Sequence, residues 1–199
     1  RRARITSIST PDGKTIRYAY NSNGMLSQVI YPDTTPTIDT DNPRRQYHYG
    51  EGTNATQTML TGITDESGQR YASWRYDAQG RAWLSVHGND TDYKDRVEQI
   101  YNSNGTTTVR TFQSATTFVD NVQSFVTTQG VVKLAANTQP CPTCGGTNTQ
   151  STTYDANGNR DLATDFRGII TDYDIDARGL ETRRVEVANT TCPTSLPTA

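Results

Sequence analysis

The chain has 199 residues, of which 32% are hydrophobic and 20% charged, and its formal net charge is −2 at pH 7. The mean hydropathy of −0.76 is too low for a conventional thick core, whereas 11 Tyr, 4 Phe and 2 Trp are too many for a disordered chain. Basic and acidic residues are interspersed, so the chain has no basic patch of the kind that binds nucleic acid. No apolar run approaches the roughly 20 residues that span a bilayer. A thin sheet with one aromatic face and one solvent-exposed face accounts for both the low hydropathy and the number of aromatic residues.

Taken in chain order, the sequence predicts short strands separated by turns. Residues 4–31 predict about three strands, residues 32–45 form a polar stretch with three prolines that predicts a long loop, and strands resume at residue 46. No stretch shows the sustained 3.6-residue periodicity of a helix. We therefore expect a single repeat array over residues 1–199. Its clean repeats are 4–31, 60–86 and 150–187, its irregular insert is 87–149 and its polar tail is 189–199.

One four-residue pattern, [Asp/Asn]-x-x-Gly, recurs seven times. Asp and Asn side chains start turns by accepting hydrogen bonds from nearby backbone amides, and glycine supplies the positive φ that closes the turn. Neighbouring copies lie 10 to 12 residues apart in the clean stretches, which suits short strands in an all-β array. The copies begin at Asn21, Asp65, Asp77, Asn102, Asp155, Asp165 and Asp176 and end at Gly24, Gly68, Gly80, Gly105, Gly158, Gly168 and Gly179; Tyr20, Tyr76, Tyr101 and Tyr154 directly precede four of them.

Four segments carry the repeat most clearly: 74–81, 154–160, 165–168 and 173–183. They resemble the YD repeats of RHS-repeat proteins, a family that includes toxin-complex subunits and teneurins. The resemblance implies an all-β fold of antiparallel hairpin repeats that forms part of a curved or spiralling YD-repeat shell. It also implies a non-enzymatic structural segment of a large secreted or cell-surface bacterial protein, whose hollow shell encloses a toxin or effector domain. Its partners are then the flanking repeats of the same parent chain and the enclosed domain. The opening Arg-Arg-Ala-Arg lacks an initiator Met and a signal peptide, so we expect an internal fragment.

The aromatic residues leave a second interpretation open, an adhesin or carbohydrate-binding repeat array at the cell surface. Aromatic rings at the two-residue period of a strand commonly form the half-buried face of the sheet itself. Exposed rings also stack against sugars, so surface glycans are candidate partners. The residues concerned are Tyr18, Tyr20, Tyr47, Tyr49, Trp74, Tyr76, Trp83, Tyr154 and Tyr173.

The sharpest local motif is Cys-Pro-Thr-Cys-Gly-Gly, with its cysteines at Cys141 and Cys144. Three states fit it: a short disulfide, free thiols, or a metal or redox site. A structural zinc site needs four ligands, and Cys192, His48 and His87 are remote and irregularly spaced, so the pair is a weak metal candidate. A redox site needs a helix N-terminus, which no pattern predicts here. We expect a disulfide or a bare turn without metal, and the resemblance to exported proteins favours the oxidised pair.

No other pattern points to catalysis or to a cofactor. Two runs of alternating Asp and Asn, at 155–161 and 172–176, look like calcium loops but lack the glycine and the glutamate that an EF-hand requires. The chain has no Gly-x-Ser-x-Gly, no His-Glu-x-x-His and no phosphate-binding glycine loop. It also lacks the aspartyl-protease-like signature of self-cleaving RHS proteins. The sequence therefore predicts no catalytic residue and no cofactor.

Overall fold

The computed structural model describes residues 3–35, 40–138 and 149–188. Within these ranges it contains fifteen β-strands and no helix, and so no helix that is able to cross a membrane. The strands are β1 Ser7–Ser9, β2 Thr15–Tyr20, β3 Leu26–Ile30, β4 Arg44–Tyr49, β5 Leu60–Thr64, β6 Arg70–Tyr76, β7 Ala82–His87, β8 Val97–Tyr101, β9 Thr107–Phe112, β10 Phe118–Thr128, β11 Val131–Thr138, β12 Thr149–Tyr154, β13 Arg160–Thr164, β14 Ile169–Ile175 and β15 Glu181–Ala188.

The strands form one sheet in which the hydrogen-bonded order follows the chain from β1 to β15. The strand pairs are antiparallel, as in β1 with β2, β6 with β7 and β14 with β15. The antiparallel all-β prediction is therefore confirmed. The chain divides into two compact units, one made of residues 1–99 with 111–118 and the other of residues 100–110 with 119–199.

In the first unit, the connections alternate between the two ends of the strands, because each strand runs antiparallel to the one before it. The connections after β2, β4 and β6 lie at one end, and those after β1, β3, β5 and β7 lie at the other. At this second end, the described residues of the two long connections, 31–35 with 40–43 and 88–96, are polar. Strand β4 begins at Arg44, so the loop predicted for residues 32–45 ends two residues early.

The buried core of the first unit is small. Its least exposed residues are Thr61, Ser73, Leu84 and Val86, which lie on β5, β6 and β7. Most other strand residues are half-buried. This is the distribution expected of a thin sheet, because a single layer has no second layer to cover its faces.

The second unit follows the same alternation with an even thinner core. Among its described residues, only Gly158 is buried. Strands β10 and β11 form its longest hairpin, with 11 and 8 residues. The two strands are joined directly by Gln129 and Gly130, which have φ of 53° and 74°. Two consecutive residues of positive φ define the tight hairpin turn that matches strand twist.

Candidate functional site: the tyrosine turn repeat

The seven [Asp/Asn]-x-x-Gly segments share one turn geometry. At Asp77, the Gly80 amide donates to the Asp77 carbonyl at 3.0 Å and the Asp77 amide donates to the Arg81 carbonyl at 2.9 Å. The same pair of bonds occurs in the other six copies. All seven terminal glycines have φ between 76° and 82°, as the pattern predicts. This is a type I turn followed by a left-handed glycine, a common three-residue hairpin loop.

The aspartates of these turns are occupied as hydrogen-bond acceptors. In all five Asp copies, Oδ1 accepts from the backbone amides two and four residues on. The Ser67 hydroxyl lowers the pKa of Asp65, and the amides of Ile169 and Leu180 lower the pKa of Asp165 and Asp176. Each carboxylate therefore stabilises the turn to which it belongs.

The tyrosine that ends the strand before a turn reaches back to the preceding strand or, at Tyr20, to a residue just before that strand. The Tyr20 hydroxyl donates to the Ile5 carbonyl at 2.8 Å and that of Tyr76 to the Leu60 carbonyl at 2.7 Å. In the second unit, Tyr154 donates to the Leu134 carbonyl at 2.9 Å. The fourth motif tyrosine, at position 101, ends β8 directly before its turn and is half-buried. The hydroxyl thus ties a hairpin to the segment of chain that precedes it.

Tyr49 makes the same contact, although the sequence pattern missed it. Its hydroxyl donates to the Leu26 carbonyl at 2.8 Å. Gly50 follows it, and residues 50–59 replace the four-residue turn, so no [Asp/Asn]-x-x-Gly marks the site. An aromatic-x-Tyr triplet shared by residues 18–20, 47–49 and 74–76 is the signal that identifies it.

A long side chain from the preceding strand, or from the residues just before that strand, covers the turn glycine at three of these sites. At Gly80, a Cβ would lie 3.2 Å from Met59 Cε, and at Gly158 it would lie 3.2 Å from Lys133 Nζ. At Gly24, it would overlap the Arg4 guanidinium. The two cations also stack on the adjacent tyrosines, with Arg4 5.3 Å from the Tyr20 ring centroid and Lys133 4.8 Å from that of Tyr154. Gly68, which no tyrosine precedes, has open space around it, as does Gly105.

A second group of polar side chains, the Arg70 cluster, joins the loops of the first unit to its sheet. It consists of Glu51, Arg70, Arg75 and Asp90. Arg70 is only 16% exposed and lies 2.6 Å from Glu51, while its Nη2 also donates to the Thr61 carbonyl at 2.9 Å. Arg75 lies 2.6 Å from Asp90 and donates to the same carbonyl at 3.3 Å. The cluster therefore holds connections from both ends of the strands against one part of the sheet.

Gly62 provides the space that the Arg70 cluster needs. A Cβ at this mid-strand position would overlap the Arg70 guanidinium. A glycine inside a strand often marks such a close approach. His48 lies beside the cluster, with Nε2 2.8 Å from Thr64 Oγ1 and Nδ1 3.8 Å from Glu51. Burial, and then the Arg70 charge, lower the pKa of His48, and the hydrogen bonds from Arg70 lower the pKa of Glu51.

The remaining sites singled out in the sequence stand apart from these two groups. Cys141, Cys144 and Cys192 lie outside the described residues, so the disulfide or bare turn stays a prediction. In the part of the chain that the structure describes, no three His, Cys, Asp or Glu side chains are grouped to hold a metal ion. The nine aromatics named above as sheet or sugar-binding residues are all half-buried.

The repeated turn and the chain-ordered antiparallel sheet define the class, a β-hairpin repeat protein. Residues 4–36, the segment that contains β1 to β3, match the family model named RHS Repeat. The resemblance drawn from the sequence is thereby confirmed. No curated protein matches the chain.

Solved structures that match the chain include crystal structures of TcdB2-TccC3. The form without its hypervariable C-terminal region is 15% identical, with a TM-score of 0.23, and the alignment covers 86% of this chain and 10% of that one. The form described simply as TcdB2-TccC3 is 14% identical, with a TM-score of 0.23 and coverages of 85% and 10%. This chain therefore spans about one tenth of the length of those proteins.

Proposed function

We propose that this chain is a non-enzymatic structural segment of a large secreted or surface RHS-like protein. Its strands contribute to a hollow, curved or spiralling shell that encloses a toxin or effector domain. The observation that carries the proposal is the RHS repeat at residues 4–36, together with the recurrence of its tyrosine contact at Tyr49, Tyr76 and Tyr154. A repeated contact that links each hairpin to the preceding strand suits a wall built by adding hairpins.

The hydrogen bonds and ion pairs that the polar side chains make support a structural role. The turn carboxylates accept hydrogen bonds from their own backbone, and the arginines of the Arg70 cluster are paired with Glu51 and Asp90. A catalytic group needs a side chain aimed at a substrate, with a partner that tunes it. The polar groups described above instead point to backbone atoms or to each other, which is what a wall requires.

The outermost strands of the described sheet support flanking repeats as partners. Among the described residues, β1 pairs only with β2 and β15 pairs only with β14. Strand β15 has eight residues, and seven of them pair with β14 along one side, with Thr182 skipped at a register shift. An open strand edge presents backbone donors and acceptors that a further strand can pair with. We propose that neighbouring repeats of the parent chain occupy these edges.

Resistance of the parent protein to protease tests whether the repeats form a shell that encloses another domain. The intact full-length protein is treated with protease, and cleavage of its non-repeat domain is followed by mass spectrometry. We expect that domain to resist cleavage in the wild type and to be cleaved faster in Gly62→Ala, which displaces Arg70 and loosens the wall. Equal cleavage in both, or a parent with no further domain, would contradict an enclosing shell.

Carbohydrate binding is the second candidate, and one observation favours it. The Tyr71 ring on β6 is 50% exposed and meets His87 edge-on at a centroid distance of 4.8 Å. An exposed, braced ring of this kind suits stacking on a sugar. A glycan array separates the two functions: binding that Tyr71→Ala abolishes, and that the exposed-site control Leu180→Ala leaves intact, would support an adhesin. The structural proposal expects no glycan signal.

A further inference from the structure

Two of the repeat turns carry the same five residues, Tyr-Asn-Ser-Asn-Gly, at 20–24 and at 101–105. Each contains an Asn-Gly pair, and a third Asn-Gly pair lies at 157–158. Asn followed by Gly is the pair most prone to spontaneous deamidation, because glycine has no Cβ to keep its amide nitrogen away from the asparagine side chain. From the sequence alone, the pairs at 23–24 and 104–105 should react at closely similar rates.

Deamidation needs only water and the two residues of the pair. At the pair 104–105, the Gly105 amide nitrogen attacks Cγ of Asn104 and loses its proton. The new N–Cγ bond closes a succinimide ring, and the Cγ–Nδ2 bond breaks, so that the side-chain nitrogen leaves as ammonia. Water then opens the ring at one of its two carbonyls. Attack at Cγ gives aspartate, and attack at the backbone carbonyl gives isoaspartate, in which the main chain runs through Cβ and Cγ.

The attacking amide is engaged in a turn at all three pairs. The amides of Gly24, Gly105 and Gly158 donate to the first carbonyl of their turns at 2.8, 3.1 and 3.0 Å. Each turn must therefore open before its glycine can react. Local opening is easiest where few contacts hold a segment and where its backbone is exposed to water. The rates should therefore depend on what covers each turn.

The turn at Gly24 is covered by residues that precede β1. The Arg4 guanidinium lies over Gly24, where a Cβ would overlap it, and stacks on the Tyr20 ring at 5.3 Å from its centroid. The Tyr20 hydroxyl donates to the Ile5 carbonyl at 2.8 Å. Gly24 is half-buried as a result. Opening this turn disturbs contacts with a segment that lies outside the turn.

The turn at Gly158 is covered by the hairpin of β10 and β11. Gly158 is buried, and Lys133 on β11 contacts its carbonyl. Gln129, in the connection between β10 and β11, donates to the Ala156 carbonyl at 2.6 Å. Opening this turn therefore breaks hydrogen bonds to a neighbouring hairpin.

The turn at Gly105 is uncovered. Asn104 and Gly105 are both exposed, and the space where a Cβ on Gly105 would lie is free of the other described residues. Asn104 Oδ1 accepts from the Thr106 amide at 3.1 Å and from the Thr106 hydroxyl at 2.8 Å. These donors belong to the same turn, so they are released when that turn opens. The structure thus separates two segments that are identical in sequence.

We propose that Asn104 is a site of spontaneous deamidation, and that Arg4 protects the identical segment at Asn23. Isoaspartate at position 104 adds one methylene to the main chain inside the turn. The Asn102 amide closes this turn by donating to the Thr106 carbonyl at 2.9 Å, and the longer main chain disturbs that bond. Either product also adds one negative charge. Deamidation therefore loosens the turn that joins β8 to β9. This inference does not rest on the proposed shell function.

Incubation of the 199-residue chain in mildly alkaline buffer tests the proposal. Peptide mass spectrometry with electron-transfer fragmentation measures aspartate and isoaspartate at each pair. In the folded chain we expect Asn104 to convert about tenfold faster, or more, than Asn23 and Asn157, because the rate follows the local opening equilibrium. In urea, Asn23 and Asn104 should convert at nearly equal rates. Equal rates at these two sites in the folded chain, conversion at Asn104 no faster than at Asn157, or a ratio that urea leaves unchanged would overturn the proposal.

Removing the cover over Gly24 provides a second test. Arg4→Ala should raise the conversion rate at Asn23 towards the rate at Asn104, while Asn104 itself stays unchanged and serves as the internal reference. Lys14→Ala removes another exposed cation of the first unit and is the matched control. Circular dichroism confirms that both variants are folded. A rate at Asn23 that Arg4→Ala leaves unchanged, that Lys14→Ala raises equally, or that rises only together with the rate at Asn104 would contradict protection by Arg4.

Discussion

Tyrosine suits the end of a repeat strand because it combines a large apolar ring with a polar tip. The ring covers half-buried sheet surface, while the hydroxyl satisfies a backbone carbonyl on the preceding strand or just before it. Phenylalanine would retain the ring but leave that carbonyl without this donor. The tyrosine contacts of the first unit, at Tyr20, Tyr49 and Tyr76, are 2.7 to 2.8 Å long.

The hydroxyl contribution can be measured at Tyr76. We expect Tyr76→Phe to lower the free energy of unfolding by about 1 kcal/mol, the usual net value of one hydrogen bond. Tyr71→Phe on the same strand is the control, since its hydroxyl makes no hydrogen bond to a described residue and its ring is exposed. Urea denaturation measures both. Equal effects in the two variants would show that the Leu60 contact contributes nothing.

Alanine substitutions at Gly80 and Gly68 separate the cost of backbone strain from the cost of side-chain crowding. Their φ angles are 77° and 79°, so alanine costs about 1–2 kcal/mol of left-handed strain at either position. At Gly80, the new methyl also meets Met59, whereas Gly68 has open space. We expect Gly80→Ala to be the more destabilising in urea denaturation. Met59→Ala should remove the difference, and a larger loss at Gly68 would contradict this account.

At the scale of the hairpin, the turn aspartates should make stability depend on pH. The unfolded-state pKa of Asp is about 3.9, and the folded-state pKa is lowered at Asp65, Asp165 and Asp176. A lowered pKa contributes stability that is fully present above the unfolded-state value and is lost as the pH falls through the folded-state value. We therefore expect the thermal midpoint to fall once the pH drops below about 4.

The matched control for this pH dependence is Asp176→Asn. Its amide oxygen can still accept the turn bonds, as Asn21 Oδ1 does from the Met25 amide at 2.9 Å, but it does not titrate. The variant should lose part of the acid sensitivity in differential scanning calorimetry while remaining folded at neutral pH. A thermal midpoint that stays constant or rises between about pH 5 and pH 3 would exclude this contribution.

Strands β5 and β6 depend on each other through Gly62 and Arg70. We expect Gly62→Ala to cost about 1–3 kcal/mol, the usual range for overpacking a tight site, because Glu51 and Thr61 hold the guanidinium in place. In an Arg70→Ala background the same change should cost much less. This double-mutant cycle, measured by urea denaturation, gives a coupling energy between the two residues. A cost of Gly62→Ala that is independent of Arg70 would refute the contact.

At the scale of the whole molecule, the thin core predicts modest stability. Among the residues that the structure describes, fully buried side chains are few, with Thr61, Ser73 and Val86 the largest, and repeat arrays gain much of their stability from neighbouring repeats. We expect the isolated chain to unfold at or below the ordinary mesophilic range of about 45–65 °C. A sharp transition well above it, from a monomer, would contradict this. Calorimetry at several protein concentrations separates monomer stability from any gain by self-association.

The seven hairpin turns and the antiparallel all-β class could be predicted from the sequence. Both are local: the Asp or Asn acceptor, the glycine with positive φ and the two amides that it serves lie within five residues of each other. The same locality explains why the repeat family could be identified from short segments. The turn chemistry requires only the residues of the turn itself.

The contacts between strands were decided only by the tertiary structure. Nothing near Tyr49 in the sequence names Leu26 as its partner, and nothing near Gly62 indicates that Arg70 covers it. The same applies to Lys133 on β11, whose contact with the Gly158 carbonyl joins residues 25 positions apart. These features depend on strand register and on which residues lie opposite each other across the sheet, and register is set by the pairing of distant segments.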